Sequence, residues 1–105
     1  MPDDSQSFPE VNRLIHEPAR LAILTVLSAC KSADFIFLLR ATGLSKGNLS
    51  VQISRLEEAG LVAVEKCIKK KKTLTTISLT RSSRNEIDRY WQTLDQIRRR
   101  VIPAT

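Results

Sequence analysis

In SKGNLSVQISRLEEAGLV, residues 45–62, the side chains with chemical capacity are hydroxyls, amides and cations crowded toward one end. Ser45, Lys46, Asn48, Ser50 and Gln52 come close together, and Arg55 follows. An amide presents a donor and an acceptor side by side, a hydroxyl can do either, and Lys or Arg only donates. Without an activating base beside them, groups of this kind hold a ligand by directional hydrogen bonds. The chain contains one histidine, His16, and no paired carboxylate, Ser–His or Cys–His arrangement or phosphate loop. Those absences argue against an enzyme. Cys30 and Cys67 lie far apart and match no metal or redox spacing, so they read as a thiol buried in a helix and a thiol on a strand, with no metal or cofactor expected. His16 lies beside an apolar stretch without a partner motif and reads as structural.

The elements that position these groups follow from hydrophobic spacing. Leu49, Ile53 and Leu56 recur at helical intervals, so one face of this segment is core and the other is free. The free positions hold Lys46, Gly47, Asn48, Ser50, Val51, Gln52 and Arg55, where a purely structural helix would carry stronger helix formers. Ser45 is the expected N-cap and Gly60 the stop. Upstream, residues 1–9 read as a disordered tail, a short helix is expected from near Glu10, and Pro18 suits the first turn of the next helix. PARLAILTVLSAC (18–30) is a core helix. Asp34 caps DFIFLLRAT, and Gly43 ends it. Only Gly43 and Leu44 then separate two helices, which is a helix-turn-helix spacing.

Past Gly60, LVAVEKCI (61–68) and TLTTISLT (73–80) alternate as strands on either side of Lys69, Lys70, Lys71 and Lys72. That pattern predicts a hairpin with a basic tip. A long helix is expected over about 81–102. Along it Ile87, Tyr90, Leu94, Ile97 and Val101 form a heptad seam with Trp91 beside it, more stripe than one helix can bury alone. Arg98, Arg99 and Arg100 at its end complement the helix dipole.

At 105 residues, 42% hydrophobic and 27% charged, the composition is that of one globular domain. A formal charge of +6 favours an anionic partner, nucleic acid or a membrane surface, and charge alone does not choose between them. MPDDSQSFPE at the N-terminus is acidic where a signal peptide is basic and then apolar. The longest apolar stretch, LAILTVLSAC (21–30), is about half the roughly 20 residues needed to span a bilayer. A cytoplasmic protein is expected.

The run GLSKGNLSVQISRLEEAGLVAVEK, followed by the lysines and TTISLT, resembles small single-domain winged helix-turn-helix transcriptional regulators of the MarR/ArsR type over about residues 15–95. The resemblance implies an α+β, mainly helical fold: a three-helix core, a two-stranded β-wing and a long C-terminal dimerisation helix. It divides the chain into a DNA-binding domain at 10–80 and a dimerisation helix and tail at 81–105. The third helix (45–58) would enter the major groove of double-stranded DNA, and the wing (66–73) would follow the backbone. On that reading Asn48 and Gln52 bond adenine bidentately, Lys46 reaches guanine and Val51 meets a thymine methyl. Ser45, Ser50 and Arg55 contact phosphate, Gly47 lets the backbone approach the duplex, and Lys69 to Lys72 lie along the backbone. Val11, Leu14, Ile15, Ile87, Tyr90, Trp91, Leu94, Ile97 and Val101 would form a homodimer interface, placing a repressor on a pseudo-palindromic operator. Any effector is left open. Two positions depart from the pattern: the wing holds only Lys where many relatives carry Gly-Arg or Pro, and Ser83-Arg84 stands where many have Gly before Arg. Metal sensing of the ArsR kind is not implied, because the clustered ligands are absent. The competing expectation is a winged-helix module that binds protein in a larger assembly, against which the basic wing argues.

Overall fold

The computed structural model describes residues 12–101. The expected tail and Val11 lie outside the described residues, and of Val101 only its place in the last helix is described. The elements are α1 (Pro18–Ser28), β1 (Ala33–Asp34), α2 (Phe35–Thr42), α3 (Lys46–Glu58), β2 (Val62–Lys69), β3 (Lys72–Leu79) and α4 (Arg81–Val101). The sheet is antiparallel with order β1-β3-β2. The architecture is the expected three-helix core, hairpin and long last helix.

One expectation about local structure is corrected, and one strand is added to those expected. The wing is two-stranded as expected, and Ala33 and Asp34 extend its sheet by a third strand, pairing with Ile77 and Thr76; a two-residue strand is too short to show alternation in sequence. No helix precedes α1 among the described residues. Instead, the Asn12 side-chain carbonyl accepts from the Leu14 and Ile15 amides at 3.0 and 3.4 Å, folding the segment into turns. Pro18 forces the residue before it out of helical geometry, and Glu17 is indeed extended at φ −149°, ψ 132°.

That extended Glu17 caps α1, its carboxylate accepting from the amides of Ala19 and Arg20 at 3.2 and 2.8 Å. The Arg20 amide chiefly holds its carboxyl below the ordinary carboxylate range; burial opposes this, and the Ala19 amide and the nearby guanidinium groups of Arg20 and Arg55 reinforce it. A depressed folded-state pKa makes this contribution complete above the unfolded value of roughly 4.3 and lost as pH falls through the folded one. Glu17→Gln should therefore lower stability by about 1 kcal/mol at neutral pH. In thermal melts the gap between variant and wild type should close as the pH is taken well below 4.

The other helix boundaries have equally local causes. Asp34 accepts from the Phe37 amide at 2.7 Å, Gly43 adopts φ 71° to end α2, and Ser45 accepts from the Asn48 amide at 3.1 Å to start α3. Ile23, Leu24 and Leu27 of α1, Leu38 of α2 and Leu49, Ile53 and Leu56 of α3 meet Val62 and Ile77 of the sheet in one core. Thr80 joins the wing to α4: its hydroxyl donates to the Gly60 carbonyl at 2.7 Å, while its carbonyl accepts from the Ser83 hydroxyl at 2.9 Å. Ser83, one of the departures from the family pattern, is fully buried with that bond made. Cys30 lies just past the end of α1 and is partly exposed, rather than buried within the helix, and Cys67 is exposed on β2.

Candidate nucleic-acid interface

The polar face of α3 is presented to solvent because its opposite face is anchored. Leu49, Ile53 and Leu56 are buried, and this fixes the helix's rotation about its axis. Lys46, Gly47, Asn48, Ser50, Val51 and Arg55 are consequently exposed, and Gln52 is half-buried. A Cβ at Gly47 would meet nothing within 4 Å, and no positive φ is needed there. The fold therefore does not require glycine at a position where it costs a helix about 1 kcal/mol.

Gln52 and Asn48 are held in a chain of bonds. Arg20 of α1 donates from Nη1 to Gln52 Oε1 at 2.9 Å, and Gln52 Nε2 donates to Asn48 Oδ1 at 3.1 Å. Arg20 itself is held by its Nε donating to the Leu14 carbonyl at 2.5 Å and lies 3.9 Å from Glu17. Nothing in the local pattern of α3 points to Arg20, since the residues bonded here are 32 positions apart.

The hairpin carries four cations at its tip. Lys69 and Lys72 pair across the strands, and all four lysines are exposed. Lys70 and Lys71 form the turn between them with φ 50° and 65°. Two-residue hairpin turns that match the strand twist need positive φ at both positions and normally use Asn-Gly. Here that strained geometry is filled by two cations. Between wing and helix lie two adjoining open hollows that share Phe35 and Thr75: Lys46 borders one with Asp34 and Thr73, and Ser50, Ser54 and Glu57 border the other with Lys66. The head of α3 and the basic hairpin thus belong to one surface.

Residues 19–98 match the family of winged helix DNA-binding domains. The chain belongs to that family. A winged-helix regulator binds DNA and is not an enzyme, in keeping with the sequence reading. An uncharacterized protein of Methanocaldococcus jannaschii is 26% identical over 89 residues, spanning 85% of this chain and 97% of that protein. A transcriptional regulator homologue from Pyrococcus horikoshii OT3 superposes with a TM-score of 0.76 at 28% identity, over 81% of this chain and 84% of the other. A MarR-family transcriptional regulator from Silicibacter pomeroyi has the same fold, with a TM-score of 0.64 at 23% identity over 87% of this chain and 63% of its own.

Within this winged-helix protein, the residues expected at a dimer interface do not all remain available. Ile15, Ile87 and Tyr90 are buried by the chain's own core, because the first half of α4 packs back onto the domain. Tyr90 is further fixed by a 2.9 Å bond between its hydroxyl and His16 Nδ1. Leu14 and Leu94 are half-buried at the core's edge. Trp91 is 48% exposed and Ile97 is half-buried farther out on α4. The sequence reading also passed over Ile68, which is 77% exposed on the wing. Among the described residues no group of side chains could hold a metal ion, and no helix is long and apolar enough to cross a membrane.

Proposed function

We propose that this winged-helix protein is a sequence-specific, homodimeric transcriptional repressor, acting in the cytoplasm by occluding a promoter. Residues 10–80 serve as its DNA-binding unit and 81–105 as its dimerisation segment. The reading is carried by one observation: the polar head of α3 and the lysine-tipped hairpin border a common hollow. A duplex that receives α3 in its major groove meets the wing along its backbone. Lys46, Asn48, Val51 and Gln52 would face base edges, with Ser45, Ser50, Arg55 and Lys69 to Lys72 on phosphate. The wing supports DNA over a protein partner, because four adjacent cations at a tip attract a polyanion and resist burial against an apolar surface.

Base reading is tested by Asn48→Ala. On the preferred site, identified by selection from genomic fragments, the substitution should cost about 1–3 kcal/mol, with little change on random duplex. Fluorescence anisotropy at one fixed salt concentration measures both. Equal losses on the two DNAs would show that Asn48 reads no sequence.

A further inference from the structure

Arg20 lies on α1, outside the helix-turn-helix, with its side chain only 12% exposed. A guanidinium can donate hydrogen bonds but has no acceptor. The Gln52 amide atom facing it at 2.9 Å must therefore be the carbonyl oxygen, which turns the Gln52 NH2 toward Asn48. That NH2 in turn requires an acceptor, so the Asn48 oxygen faces inward and its NH2 faces outward. The orientation of both amides is thus dictated from Arg20 along the chain by donor and acceptor chemistry alone. Among the described residues Asn48 Nδ2 makes no hydrogen bond of its own.

We infer that Arg20 is a positioning residue for sequence specificity, setting Asn48 to present N–H donors and so to prefer guanine's acceptor edge over adenine. This rests on α3 reading bases in the major groove. There guanine offers two acceptors, O6 and N7, whereas adenine offers one acceptor beside a donor. Reading adenine bidentately requires the Asn48 oxygen and NH2 to face the base side by side, and in this arrangement the oxygen is turned inward to Gln52. The inference replaces the adenine contact expected from residue type with a guanine contact imposed by a neighbour on another helix.

Two substitutions of the full-length chain separate the relay from a packing role. Arg20→Met keeps the apolar stem and removes every donor. Gln52→Glu keeps an acceptor for Arg20 and replaces the donor to Asn48 by an oxygen, which should turn the Asn48 amide over. Sites are selected from duplexes randomised across the half-site, and folding is checked by thermal melting. Wild type should select guanine at the base pair whose preference is lost in Asn48→Ala. Arg20→Met should relax that one position, with roughly tenfold weaker binding to the selected site and none of that loss on random duplex. Gln52→Glu should move the preference toward a base offering a donor, adenine or cytosine, whatever its added charge does to overall affinity. Adenine selected by wild type, an unchanged preference in Arg20→Met, or retained guanine in Gln52→Glu would each overturn the relay. If Asn48→Ala itself leaves every preference intact, base reading by Asn48 fails and the relay falls with it. If only Arg20→Met and Gln52→Glu are without effect, the relay fails while base reading stands.

Discussion

Replacing Lys69, Lys70, Lys71 and Lys72 together by Gln is expected to weaken binding to every duplex alike and to flatten its salt dependence. Each phosphate contact removed should reduce the slope of log affinity against log salt by about 0.9, because fewer condensed counterions are released. Base preference should survive, since backbone contacts set position without reading sequence. The geometry of the turn adds a second arm. Lys70 and Lys71 occupy left-handed backbone conformations, which cost a side chain-bearing residue about 1–2 kcal/mol each. Changing them to Asn and Gly should raise the melting temperature while lowering DNA affinity. Opposite movement of stability and binding is the signature of a turn kept strained for its charge. An unchanged salt slope in the fourfold variant would leave the lysines as a solvated loop.

The second large effect is expected from α4. A helix of 21 residues is about 32 Å long at 1.5 Å per residue. The heptad seam enters the core at Ile87 and Tyr90 and continues past it at Ile97, with Trp91 exposed on the flank. Pairing of this outer part with its copy would bury the remainder and hold two α3 helices about one DNA turn, roughly 34 Å, apart. Trp91→Asp with Ile97→Asp tests this; Leu94 is spared because it also touches the core. The double variant should sediment as a folded monomer. It should lose tight binding to a two-half-site operator by on the order of 10²-fold or more, the scale of a lost second attachment, and retain weak binding to random duplex. Wild-type protein that is monomeric both free at micromolar concentration and on its operator would refute the dimer.

Much of this protein was legible in its sequence because the causes are local. Asp34, Gly43 and Ser45 act on amides and dihedrals within a few residues of themselves, so the helix-turn-helix could be located by reading along the chain. The 49/53/56 spacing likewise fixed which face of α3 is free, and the two alternating runs announced the wing. Tertiary structure decided what depends on distant residues. Ala33–Asp34 becomes a strand only because β3 passes beside it. Ile15, Ile87 and Tyr90 carry the same apolar signal as Ile97, and only packing separates those in the core from those left at its edge. The amides of Gln52 and Asn48 were visible as residue types, but which atom each turns outward depends on Arg20, a donor brought in from another helix. Periodicity specifies faces and ends because those repeat along one element; the direction of a hydrogen bond between elements has no repeat and exists only once they are packed.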